Sequence, residues 1–136
     1  MIYKEKKIDL FKVPEDYCLA HCISDDFALG AGIAVEFDLK RQLKLVYPNG
    51  YKKAGCVRIG KVFNLITKSK CYEKPTYESL EEALIEMKLI AEGQEIKKIT
   101  MPKIGCGLDK LDWEKVRELL YKVFKETEIE ILVCSL

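Results

Sequence analysis

The stretch Lys97-Lys98-Ile99-Thr100-Met101-Pro102-Lys103-Ile104-Gly105-Cys106-Gly107-Leu108-Asp109 reads as a short strand that runs into a glycine loop and ends on a carboxylate. A glycine-rich turn after a strand lets backbone N–H groups approach an anion closely, which makes this loop a candidate phosphate cradle. It has an upstream counterpart. Ala20-His21-Cys22-Ile23-Ser24 leads toward Gly30-Ala31-Gly32-Ile33-Ala34, a second glycine loop that opens a helix, and another apolar strand, Leu65-Ile66-Thr67-Lys68, ends on a lysine. Two small-residue loops at neighbouring strand ends are able to clamp a diphosphate from opposite sides. Neither loop carries Gly-x-Gly-x-x-Gly or Gly-Lys-Ser/Thr, so a diphosphate ligand without hydride or phosphoryl chemistry is expected.

The rest of the chain alternates strands and helices. Residues up to Ile8-Asp9-Leu10 alternate weakly, Pro14-Glu15-Asp16 marks a turn, and Tyr17 to Ile23 is an apolar run, which predicts two strands. From Gly32 onward Ile33, Phe37, Leu39 and Leu43 form an imperfect helical stripe that breaks at Pro48-Asn49-Gly50. Gly60-Lys61 between Cys56-Val57-Arg58-Ile59 and Val62-Phe63-Asn64-Leu65-Ile66 suits a hairpin, with Lys68 closing its second strand. Thr76 is placed to cap a helix with Leu80, Ala83, Leu84, Met87 and Ile90 at three- and four-residue spacing and Gly93 at its end. A last helix presents Val116, Leu119, Leu120 and Val123, and Ile129 to Cys134 is the final strand. Such alternation predicts an α/β fold whose ligand binds outside the carboxyl ends of the strands.

The 136 residues suit one domain over 1–136, and a net charge of +1 is nearly silent about partners: it gives no sign of a wholly basic face, while the local lysines Lys68, Lys70 and Lys74 are able to meet phosphate. The six cysteines, Cys18, Cys22, Cys56, Cys71, Cys106 and Cys134, include no Cys-x-x-Cys pair, so no metal is expected and reduced thiols are. The N-terminus shows no apolar leader and no membrane segment is expected, which makes the cytoplasm the default location.

Each candidate residue also has a structural explanation. Lys68, with Lys70 and Lys74 nearby, reads first as a solvated lysine at a strand end, and spacing alone does not single it out. A lysine at its ordinary pKa is only about 0.04% neutral at pH 7, so a nucleophilic one needs burial or neighbouring cations. Asp109 or Asp112 is placed to cap the helix that follows. His21 is the single histidine, and within its apolar run it reads as a hydrogen-bonded core or rim residue rather than a member of a triad.

The chain as a whole resembles the macrodomain family, in the branch of the terminal ADP-ribose protein glycohydrolase. The resemblance is carried, in order, by Leu19-Ala20-His21-Cys22-Ile23-Ser24, Gly30-Ala31-Gly32-Ile33-Ala34-Val35, Leu65-Ile66-Thr67-Lys68, Lys74-Pro75-Thr76-Tyr77-Glu78 and Met101 to Asp109. It implies a three-layer α/β/α macrodomain with a mixed central sheet that binds ADP-ribose and needs no cofactor. It sets Asp9 and Leu10 near the adenine, and Ser24 with Lys103, Ile104, Gly105, Cys106, Gly107 and Leu108 around the diphosphate and distal ribose. Leu136 lines the ligand, and His21, Gly30, Ala31, Gly32, Ile33, Ala34, Thr67 and Pro102 complete the candidate binding set.

The same resemblance makes Lys68 a nucleophile at the anomeric carbon and Asp109 the acid-base residue. The expected partners are ADP-ribose and ADP-ribosylated protein or DNA, met by a monomer. Glutamate-linked ADP-ribose on protein and thymidine-linked ADP-ribose on DNA are both substrates within this resemblance. A non-catalytic ADP-ribose reader and an O-acetyl-ADP-ribose deacetylase are the alternatives. A reader needs the loops but neither Lys68 nor Asp109.

Overall fold

The computed structural model describes residues 1–24, 45, 55–68, 73–106 and 110–135. Strand β1 spans Ile2–Lys7, β2 Cys18–Ser24, β3 Gly55–Ile59, β4 Val62–Lys68, β5 Lys98–Met101 and β6 Glu130–Ser135. Helix α1 spans Tyr77–Gly93 and α2 Trp113–Phe124, with a short 3-10 turn at Leu10–Lys12. The strands form one sheet in the order β1-β6-β5-β2-β4-β3. Every neighbouring pair is parallel except β3 with β4, so the sheet is mixed. The antiparallel pair is the predicted hairpin. Ile59 pairs with Val62 across Gly60-Lys61, and Gly60 takes the positive φ of 58° that this tight turn demands.

One face of the sheet carries the main core. Phe63, Leu65, Ile99, Met101, Ile131 and Val133 pack against Leu80, Ala83, Leu84 and Met87 of α1 and Val116, Leu120 and Phe124 of α2. The helical spacing of the sequence selects Leu80, Ala83, Leu84, Met87, Val116 and Leu120 among these but not Phe124, and its Ile90 and Leu119 are only partly buried. Truncating a fully buried residue such as Phe63 to Ala costs about 3–5 kcal/mol. On the other face Leu10, Tyr17, Leu132 and Cys134 form a smaller cluster. The helix expected after Gly32, and with it the second helical layer, lies outside the described residues.

Helix ends follow local chemistry. Thr76 Oγ1 accepts the Ser79 amide at 3.0 Å and Ser79 Oγ accepts the Thr76 amide at 3.0 Å, a reciprocal capping box. At the other end the left-handed residue is Glu95, with φ 56°, not Gly93. The Ile96 amide donates to the Ala91 carbonyl at 2.8 Å and the Glu95 amide to the Glu92 carbonyl at 3.4 Å, which is a Schellman ending. Gly93 is thus the last helical residue, as expected, and the left-handed turn that closes the helix comes two residues later. Helix α2 is capped by Asp112, whose Oδ1 accepts the Glu114 amide at 3.0 Å. Of the two aspartates that the sequence offers as the cap, Asp112 takes that task, and Asp109 lies outside the described residues.

Candidate active site

Parallel pairing aligns the carboxyl ends of β1, β6, β5, β2 and β4 along one edge of the sheet. Asp9 and Leu10 follow β1, the loop from Pro102 follows β5, Ser24 ends β2 and Lys68 ends β4. The sequence-predicted residues from four separated segments therefore share an edge, with β2 between β5 and β4. Gly30, Ala31, Gly32, Ile33, Ala34, Gly107, Leu108, Asp109 and Leu136 lie outside the described residues.

Ser24 and Lys68 are register partners at the end of the β2–β4 ladder. One rung earlier Ile23 pairs with Ile66, so Thr67 has no opposite number and the strand bulges there. Bulges re-aim side chains next to sites. Ser24 is buried and Lys68 half-buried, and Thr67 is almost wholly enclosed, with no hydrogen-bond partner for its hydroxyl among the described residues.

The loop after β5 is held by short-range bonds. The Cys106 amide donates to the Lys103 carbonyl at 3.3 Å, and the Leu111 amide donates to the Gly105 carbonyl at 2.7 Å. Gly105 has φ 74°, and a Cβ there would stand 2.9 Å from Leu111 Cδ1, so both conformation and space favour glycine. Ile104 is buried and anchors the loop to the core, while Lys103 is exposed with its Nζ 6.0 Å from the centre of the Trp113 ring. Burial and the nearby Asp112 push the Cys106 thiol above its ordinary range, against the weaker pull of Lys103, which suits an unreactive thiol. Asp9 Oδ1 accepts the Phe11 amide at 3.0 Å and so fixes the turn after β1.

His21 belongs to the interior. Its Nε2 lies 2.6 Å from Asn64 Oδ1, and Asn64 Nδ2 donates to the Val57 carbonyl at 3.0 Å. The two residues are register partners in β2 and β4, three and four positions before the strands end. Burial holds the imidazole below its ordinary pKa, while the bond to Asn64 works in the opposite direction. A hydrogen-bonded core histidine is what the structure contains. The described cysteines, Cys18, Cys22, Cys56, Cys106 and Cys134, form no disulfide.

Two residues that the sequence did not single out for the site are Tyr77 and Ser79, in the first turn of α1. Tyr77 Oη accepts the Asp112 amide at 3.0 Å, and Ser79 Oγ donates to the Thr67 carbonyl at 2.6 Å. The Thr-x-x-Ser spacing identifies the cap, but the tertiary bonds arise only when β4 and α1 are packed together.

A mixed α/β sheet with its candidate residues on one carboxyl edge defines the class, and the Macro domain family profile matches residues 49–120. The chain belongs to the macrodomain family. Over nearly its whole length it is similar to the human ADP-ribose glycohydrolase OARD1, with 43% identity over 135 residues covering 96% of this chain and 89% of the relative. The Bos taurus protein of the same name is 42% identical over the same shares. These likenesses put the chain in the terminal ADP-ribose protein glycohydrolase branch that its motifs indicate. Among solved structures, the macrodomain of Thermus aquaticus DarG superposes with a TM-score of 0.84 at 18% identity, covering 99% of each chain, which bears on the fold alone.

Proposed function

We propose that the chain is an ADP-ribosyl hydrolase that frees ADP-ribose from a modified macromolecule, with Lys68 as nucleophile and Asp109 as acid-base residue. The observation that carries this is the shared carboxyl edge of β1, β5, β2 and β4, bearing Asp9, the Pro102 to Cys106 loop, Ser24 and Lys68, in a chain 43% identical to a relative named ADP-ribose glycohydrolase. From β1 to β4 there are four interstrand gaps, about 19 Å at roughly 4.8 Å each, a span that suits an elongated dinucleotide-like ligand.

The chemistry proceeds in two displacements. The Lys68 Nζ lone pair attacks the anomeric carbon of the distal ribose, and the bond to the leaving oxygen breaks with its electron pair going to the carboxylate of the modified side chain. Asp109 accepts the proton shed by Nζ and stabilises the positive character that develops at the anomeric carbon. Water then adds at the same carbon as the bond to Nζ breaks, which yields free ADP-ribose and restores the lysine. The assignment of Asp109 rests on its motif, since it lies outside the described residues. The buried, reduced thiols of Cys18, Cys56 and Cys134 suit the reducing cytoplasm that we propose as the location.

Glutamate-linked ADP-ribose on protein is the proposed substrate. The test presents the purified chain with glutamate-modified protein, a thymidine-modified oligonucleotide and O-acetyl-ADP-ribose, and quantifies free ADP-ribose by mass spectrometry. Fastest release from protein is expected. Release from DNA alone would move the assignment to thymidine, and binding of ADP-ribose with no release from any of the three would make the chain a reader.

A further inference from the structure

The Thr76-Tyr77-Glu78-Ser79 segment caps α1 and also touches the strand end that carries Lys68. The one-residue register shift takes Thr67 out of the β2–β4 ladder. A buried carbonyl displaced from a ladder needs another donor. Ser79 Oγ meets that need, lying 2.6 Å from the Thr67 carbonyl oxygen. The same hydroxyl also lies 3.0 Å from the Thr76 carbonyl, but it has one proton, and the shorter contact takes it. The Thr67 side chain adds no anchor, because its buried hydroxyl has no partner among the described residues.

We propose that Ser79 is a positioning residue for Lys68: its hydroxyl pins the bulged Thr67 carbonyl to the first turn of α1 and so sets where the next residue, Lys68, presents its amine. This rests on Lys68 being the nucleophile. Helix α1 is a rigid support, closed by its own capping box and packed into the core through Leu80, Ala83 and Leu84. Displacing a nucleophile by a fraction of an ångström slows attack without weakening ligand binding that comes from other segments. Ser79 itself need not touch the ligand.

The test separates positioning from mere helix stability. Ser79→Ala removes the bond to Thr67 and part of the cap, Ser79→Cys substitutes a weaker donor, Ser79→Thr keeps a hydroxyl, and Thr76→Ala breaks the same capping box without touching the Ser79–Thr67 bond. Steady-state kinetics on ADP-ribosylated protein are read beside melting temperature, with Lys68→Ala in parallel. Ser79→Ala is expected to lower kcat about ten- to a hundredfold with KM within about twofold. Ser79→Cys should fall between, Ser79→Thr should recover most of kcat, and Thr76→Ala should melt earlier with kcat unchanged. Should the alanine variant fail to fold, the cysteine variant against threonine carries the comparison. Parental kcat in Ser79→Ala or Ser79→Cys beside an inactive Lys68→Ala would overturn the role of Ser79 alone. Equal kcat losses in Thr76→Ala and Ser79→Ala would reduce it to capping. An active Lys68→Ala would instead overturn the nucleophile on which it rests.

Discussion

Ser24 and Lys68 face each other across the last rung of the β2–β4 ladder, although Ile23 and Ile66 are partners one rung earlier and Thr67 stands between. The chain spends an extra residue at this point and thereby ends two parallel strands on a buried hydroxyl residue and a half-buried lysine. A strand without the bulge would turn the residue after Ile66, not Lys68, to that rung.

If Lys68 acts as a nucleophile, charge alone cannot replace it. Lys68→Arg keeps the cation, but a guanidinium is not deprotonated in proteins and cannot form the covalent bond. Turnover is expected to fall about a thousandfold or more while ADP-ribose still binds, which calorimetry and single-turnover kinetics check together. Substantial turnover in the arginine variant would point to an electrostatic role.

Gly105 holds the loop after β5 in a left-handed conformation. Gly105→Ala places a Cβ against Leu111 and adds a conformational cost of about 1–2 kcal/mol, visible in urea unfolding. Because the strained residue sits in the candidate phosphate cradle, ADP-ribose affinity is expected to fall as well. An unchanged midpoint would mean that Leu111 and the backbone relax without cost.

The end of α1 offers the opposite experiment. Glu95 adopts φ 56° at the Schellman ending, where glycine carries no steric penalty. Glu95→Gly is expected to stabilise the protein by roughly 0.5–1 kcal/mol, after the glycine's added chain entropy is subtracted, with turnover unchanged. Thermal or chemical denaturation checks it, and a lower midpoint would contradict it.

The buried His21–Asn64 pair predicts a pH response of stability. In the folded protein the imidazole titrates below its ordinary 6.5, so on acidification the unfolded chain takes up the proton first. Stability is therefore fully present above about pH 7 and is lost as pH falls through 6.5 toward the folded value. The melting temperature should drop between pH 7 and 5, before most carboxylates titrate, and His21→Gln should drop less over that interval. A flat parental profile would contradict the assignment.

Most of the fold is legible in the sequence because hydrophobic spacing and turn residues act locally. Leu80, Ala83, Leu84 and Met87 mark α1, Gly60 marks the hairpin, and the strand at 98–101 runs directly into its glycine loop. The order of strands is not legible, since nothing local tells β2 to lie between β5 and β4, yet that order is what brings Ser24, the Pro102 loop and Lys68 to one edge. The bulge at Thr67 and the bond from Ser79 are equally hidden: each depends on a partner at least a dozen residues away. Spacing places the last residue of α1 at Gly93, where the helix does end, but not the Schellman bonds that close it at Glu95 and Ile96. For His21 the apolar surroundings were the better guide, since the ring is enclosed beside Asn64.

The most direct test of the account is release of ADP-ribose from glutamate-modified protein, followed by mass spectrometry, for the parent chain, Lys68→Ala and Asp109→Ala side by side. The account predicts release by the parent and loss of it in both variants, with both still binding ADP-ribose. Release by Lys68→Ala at the parental rate would contradict it.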